Sequence, residues 1–251
     1  MPTFLGNKKR IMKPFITICI IVLSFLCSNN ASGWYDETHL AVAKASGYGK
    51  WYNAVGADIT KIKAKSVEGN NHFFNNNGNV QVTPEMVLQQ AKKYNDPNDM
   101  EGHLYGALIA SLREYIGTTK KGKYAEYHLA FCAHYVADLS QPLHNTPYDD
   151  FNRTRHLAND GIVDDRILEN ISKIQKNMYP INLKPNNFEK DLANEIARIA
   201  NDARELGRKL RKENRDMTKE EAYRQLGHSA SLLKAILGYV GQISSMNISA
   251  N

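Results

Sequence analysis

Cysteine is nearly missing from this 251-residue chain. Cys19 and Cys27 fall within the first 33 residues, so only Cys132 remains in the rest. No internal disulfide can then form in residues 34–251, and some other device must stabilise them. Cys132 sits in an apolar helical stretch and reads as a small buried hydrophobe. Strand signals are scarce too, with Asn79-Val80-Gln81-Val82 short and isolated. There is no internal repeat, and the Pro- and Asn-containing connection Lys176 to Asn187 is short for a linker. An excess of one charge is also lacking. The net charge is +6, but Lys8, Lys9, Arg10 and Lys13 lie before residue 34, where there is no acid. The remainder carries 28 basic against 26 acidic residues, a net of +2 that gives no strong electrostatic argument for nucleic-acid binding.

What is present begins with a leader. Lys8 to Lys13 form a basic region, Phe15 to Cys27 an apolar one, and Ala31 and Gly33 a small-residue cleavage site. The apolar run is short for a membrane span. Leu26 before Cys27 does not suit a lipoprotein signal, which expects a small residue there. Residues 1–33 are therefore expected to be a secretory signal, with Met12 as an alternative start, and residues 34–251 one exported domain, periplasmic or extracellular.

Helical periodicity dominates that domain. Apolar residues recur every four from Leu104 to Ile116, and longer stripes run from Phe188 to Leu210 and from Leu226 to Ile243. Lys123 to Leu139 is apolar on much of its surface and suits a central helix. Thr83-Pro84-Glu85 marks a helix start, and Thr218 with Glu221 forms a capping box. Asn- and Gly-rich loops interrupt the helices at Glu68 to Asn79 and Asn95 to Gly102, and the first could be dismissed as a flexible polar loop. The expected fold is all-α, a single-domain multi-helix bundle.

The histidines carry the chemistry. His134 and Asp138 are four apart and share a helix face; Pro142 ends that helix and His144 follows. His156 and Asp160 repeat the spacing, with Asp164 and Asp165 as competitors for the last position. One such pair more often marks a satisfied histidine. Two pairs flanking a third His suit a metal that favours imidazole nitrogen and carboxylate oxygen, as zinc does. His103, His128 and His228 fall outside this pattern and read as surface or satisfied side chains. Asp149 and Asp150 read as a cap, Trp51 and Tyr52 as core, and Arg204 to Arg215 as a solvated helix face. Asn152-Arg153-Thr154 fits a glycosylation sequon.

The segment His134-Tyr135-Val136-Ala137-Asp138-Leu139-Ser140-Gln141-Pro142-Leu143-His144 resembles the signature of the zinc-dependent phospholipase C and single-strand nuclease superfamily, exported helical phosphodiesterases with three zinc ions. The likeness extends to Trp34 after the expected cut, His39 five residues later, and Asp58 fourteen residues before His72. It implies a metal cluster in a cleft between helices. One zinc would take Asp58, His72, His134 and Asp138, and a second His144, His156 and Asp160. The third would take the Trp34 amine and carbonyl, His39 and a bridging oxygen of Asp138. Zinc-bound hydroxide would then attack phosphorus, with Asp58 as the catalytic residue orienting the water.

The two branches differ in substrate, and the chain mixes their features. The short Trp34-to-His39 interval and an Asp at 160 resemble the nucleases. The short His144-to-His156 interval, without a Gly-Gly-Asn insertion, resembles phospholipase C. Phe73, Phe74 and Tyr148 could stack on bases, contact a lipid headgroup or pack in the core. The expected activity is phospholipase C-like hydrolysis with transient membrane-surface contact and no obligate protein partner. A nuclease acting on single-stranded nucleic acid and a non-catalytic secreted zinc-binding protein are the alternatives.

Overall fold

The periodicities translate into helices almost residue for residue. A computed structural model describes residues 34–76, 80–118, 122–163 and 166–249, excepting the side chains of 244 and 246–249. The expected signal segment, Asn79, Asp164 and Asp165 lie outside the described residues. The helices are α1 (Asp36–Ala45), α2 (Gly56–Ala64), α3 (Ser66–Gly69), α4 (Pro84–Gln90) and α5 (Leu104–Gly117). They continue with α6 (Lys123–Leu139), α7 (Asp150–Asp160), α8 (Ile171–Lys176), α9 (Phe188–Glu213) and α10 (Lys219–Ser249). Among the described residues there is no strand, and the fold is all-α. None of these helices is long and apolar enough to cross a membrane.

Helix starts follow the local chemistry. Thr83 Oγ1 accepts from the Met86 N–H at the head of α4, with Pro84 in the first turn. Thr218 and Glu221 exchange reciprocal bonds at the head of α10, Thr218 N–H to Glu221 Oε2 at 2.9 Å and Glu221 N–H to Thr218 Oγ1 at 3.1 Å. Asp149 caps α7 by accepting from the Asn152 N–H. The α6 helix stops because Pro142 lacks an N–H and disfavours helical backbone just before it. Gln141 there is extended, and its Oε1 accepts from the Leu143 N–H to start a 3₁₀ turn, Pro142–Asn145.

The α5 and α6 helices form the central pair, with most of the α6 surface buried. Helix α9 covers α4 and the Pro142–Asn145 turn, while α10 covers α1, α6 and α8. Cys132 is fully buried in this core as a free thiol, and burial pushes its pKa up to about 12. Helix α5 presses against the end of α4 at Gly106, where a Cβ would lie 2.1 Å from the carbonyl carbon of Gln90. Backbone cannot yield as a flexible side chain can. Gly106→Ala should therefore cost at least about 2 kcal/mol in a denaturant titration.

Several sequence expectations are corrected by the packing. The Glu68-to-Asn79 segment is not a loose loop in its described part, because Glu68, Asn70, Asn71, His72 and Asn76 are buried. Its backbone is clamped on both sides, the Phe74 N–H donating to His144 O and the Asn75 N–H to Glu101 O. Val80 to Val82 forms no strand; Asn201 exchanges two 2.9 Å bonds with the Val82 backbone. Arg204 does not belong to a solvated face; it is buried and donates to the carbonyls of Asn145 and Val80. Tyr52 is exposed rather than core, while Trp51 packs against the core.

Candidate metal centre

Six elements bring the expected ligands together. Helix α1 carries His39, α2 carries Asp58, the loop after α3 carries His72, α6 carries His134 and Asp138, and the turn and α7 carry His144, His156 and Asp160. These side chains form three groups, each with ligand atoms within 4.8 Å of one another. They are His39 with His134 and Asp138, Asp58 with His72 and His134, and His144 with His156 and Asp160.

Asp138 lies at the centre and is fully buried. Its Oδ2 is 3.0 Å from His72 Nδ1 and 3.3 Å from His134 Nε2. Its Oδ1 is 3.4 Å from His39 Nε2 and 3.6 Å from His144 Nδ1. The carboxylate thus faces different histidines with its two oxygens. Asp58 Oδ2 is 3.7 Å from His134 Nε2, while its Oδ1 is held by Lys61 Nζ at 2.9 Å. His134 belongs to two groups, one with His39 and Asp138 and one with Asp58 and His72, so Asp138 groups with His39 rather than with the Asp58–His72 pair.

Backbone and side-chain acceptors decide which imidazole nitrogen is available. His134 Nδ1 donates to Ala54 O at 2.8 Å, and His144 Nδ1 to His72 O at 2.7 Å. His156 Nδ1 donates to Asn152 Oδ1 at 2.6 Å. Each ring then turns Nε2 inward. His144 Nε2 and His156 Nε2 meet at 3.1 Å, with Asp160 Oδ2 3.3 Å from His156 Nε2. Two lone pairs pointed at each other beside a carboxylate suit a shared cation. Gln141 Nε2 donates to the other oxygen of Asp160 and fixes its orientation.

Buried polar atoms without hydrogen-bond partners concentrate here. They include both His39 ring nitrogens, Asp58 Oδ2, Asp138 Oδ1 and Asp160 Oδ2. An unsatisfied buried polar group costs about 1–3 kcal/mol, and more when charged. Donor atoms of this kind, nitrogen and oxygen in buried groups, fit divalent metal ions that would supply the missing partners.

The electrostatics point the same way. Burial, with the charge of His134 alongside, lowers the His39 pKa to about 3, so its ring is neutral and a ready ligand. Its ring stacks on His134 at 3.7 Å with 6° between the planes. Burial alone would lower His134, yet Asp58 and Asp138 outweigh it and raise its pKa to about 9. Burial would also raise Asp138, but His144, His134 and His39 hold it well below the usual carboxylate range. For Asp160, burial wins over the Gln141 hydrogen bond, and the pKa lies well above the ordinary value. Protons on His134 and Asp160 thus offset charge that metal ions would otherwise balance.

The Trp34 side chain is fully buried, and its Nε1 donates to Ala137 O at 3.1 Å, beside Asp138. The next residue, Tyr35, donates its N–H to Asp160 O at 3.5 Å. The start of the described chain therefore lies against two ligand-bearing helix ends.

Sequence reasoning overlooked several supports. Glu68 and Asn152 each stand four residues before a histidine, His72 and His156, so the helical spacing was available as a signal. Asn152 is buried and donates to Leu143 O, which removes the sequon reading. Gln141 and the Ala54 carbonyl carried no sequence signal. Of the side chains set aside, His103 contacts Asp99 and Asn71, and His228 contacts Tyr179. Phe74 is buried in the core and Phe73 is half-buried, whereas Tyr148 is exposed with its ring edge-on to His156. No family model, no curated protein and no solved structure matches this chain.

Proposed function

We propose that this protein is an exported zinc-dependent phosphodiesterase acting on phospholipids in the manner of a phospholipase C. The observation that carries the reading is the bridging geometry of Asp138, whose two oxygens face different members of one connected histidine–aspartate cluster. Divalent ions held there would acidify a water for attack on phosphorus and offset charge on the phosphoryl oxygens. Zinc suits the histidine-rich donor set.

Asp58 has the most exposed side chain among these ligands, at 12%. With Oδ1 tied to Lys61, its Oδ2 is the atom placed to hold and orient a water proton. The Trp34 backbone would complete the set once cleavage after Gly33 frees its amine. An amide nitrogen in the same place is a poor ligand.

Two features favour a lipid over a nucleic acid. Phe74 is spent on the core, which leaves fewer aromatic faces for stacked bases. Ile59 and Ile62 follow Asp58 on α2 and are 57% and 79% exposed, an apolar edge suited to transient contact with a lipid surface.

The test offers protein beginning at Trp34 four substrates: phosphatidylcholine vesicles, single-stranded DNA, RNA and a chromogenic phosphodiester. Diacylglycerol should be released without nucleotide, stop on chelation and return with zinc. Nucleotide release without diacylglycerol would make it a nuclease. No turnover on any substrate with zinc bound would leave only a binding protein.

A further inference from the structure

The His72 ring faces the cluster with Nδ1, so its N–H must sit on Nε2 for Nδ1 to offer a lone pair. The group nearest Nε2 is the carboxylate of Glu68, in ion-pair contact with Oε1 at 3.3 Å and one small tilt of the ring from a hydrogen bond. Glu68 is itself buried, only 3% exposed, and its position is fixed from two sides. Tyr135 donates its hydroxyl to Oε1 at 2.6 Å, and Asn71 Nδ2 donates to Oε2 at 3.3 Å. Asn71 is in turn held by Asn95 and by His103. This chain of contacts reaches from the Asn95 turn to a cluster histidine without passing through a cluster carboxylate.

A buried carboxylate is costly unless its charge is used. No lysine or arginine pairs with Glu68 among the described residues, and its ionic contact is with His72. We infer that Glu68 is a positioning residue for the metal centre: it selects the Nε2–H tautomer of His72 and increases the donor strength of Nδ1. Tyr135 and Asn71 keep the carboxylate at that angle. A histidine that holds a metal commonly passes its other N–H to such a carboxylate, and loss of that partner lowers metal affinity about 10- to 100-fold. The inference rests on the reading of the cluster as a metal centre, and the experiment separates the two.

Zinc and cobalt(II) are titrated into chelator-treated protein for the wild type, Glu68→Gln and Tyr135→Phe. The cobalt absorption bands and the metal stoichiometry are recorded together. Wild type should bind metal. Glu68→Gln should weaken the Asp58–His72–His134 site about 10- to 100-fold and shift its cobalt bands, leaving the His144–His156–Asp160 site unchanged. Tyr135→Phe removes one of the two bonds that hold the carboxylate but leaves its charge beside His72, so it should shift the same site in the same direction by less than Glu68→Gln does. Equal affinity and an unshifted spectrum in Glu68→Gln would overturn the assignment, as would a loss that falls equally on the His144–His156–Asp160 site. Absence of metal binding by the wild type would remove the metal-centre reading, and this inference with it. Nitrogen-15 histidine spectra of metal-loaded wild type test the tautomer without any substitution, and an Nδ1–H signal for His72 would also overturn it.

Discussion

Asp138→Asn is expected to lower hydrolysis at least about a thousandfold and to reduce the bound metal. Replacing a group behind a ligand costs roughly 10- to 100-fold, whereas this substitution removes a charge that two groups share. The side chain is fully buried, and Asn has nearly the same volume, so packing is preserved. What changes is the field. Asp138 is one of two carboxylates that raise the His134 pKa, and its loss leaves Asp58 to do so alone. Its Oδ1 also faces His39 and His144, so the deficit reaches across the cluster. Metal counting by plasma emission, with turnover on the chromogenic phosphodiester, measures both effects. Asp150→Asn, at a 93% exposed side chain, serves as the control and should change neither. An unchanged metal count and rate in Asp138→Asn would remove its bridging role.

The second large effect is on stability. Each occupied site should add about 4 kcal/mol when free metal stands a thousandfold above its Kd. The stabilisation should also change the pH dependence. In the metal-free protein His134 keeps a proton up to about pH 9, whereas the unfolded chain releases it near 6.5. Asp160 likewise holds a proton above the range in which an unfolded aspartate ionises. Between about pH 6.5 and 9, above the range in which His39 and His144 matter, the folded state then binds more protons than the unfolded one, so stability falls as pH rises. The His134 contribution is fully present below pH 6.5 and is lost through pH 9. It amounts to about 3 kcal/mol. Metal displaces both protons, so the loaded protein should lack this alkaline decline and should release protons on loading. Thermal melts at pH 6.5 and 9, with and without zinc, read the first effect. Calorimetry in buffers of different ionisation enthalpy reads the second. Identical pH profiles for the two forms would count against the cluster as the metal site.

Much of this was legible in the chain because its signals are local. A capping box, a proline stop and four-residue His-to-Asp spacings depend on neighbours within one helical turn, and α6 matches its expected span from Lys123 to Leu139. The unread parts depend on distant partners. Arg204 looks like one more charge on a basic helix until the Asn145 and Val80 carbonyls come to it from 59 and 124 residues away. Tyr52 looks like core beside Trp51, but only one of the two rings has helix packed over it. Glu68 and Asn152 stood at a readable spacing, and what hid them was an expectation that looked for ligands and not for the groups behind them.

The anchoring of Trp34 has a consequence for the order in which the molecule can assemble. Its indole bond spans 103 residues to Ala137, and the Tyr35 amide reaches Asp160. Closing so long a loop adds little entropy beyond a shorter one, because that cost grows only logarithmically with length. It does impose a sequence of events. A chain emerging from its N-terminus cannot seat its earliest described residues until Asp160 has followed. The ligand shell therefore closes late, after about three-fifths of the chain is present. A site assembled in this order cannot hold its full set of side chains while the chain is still being made.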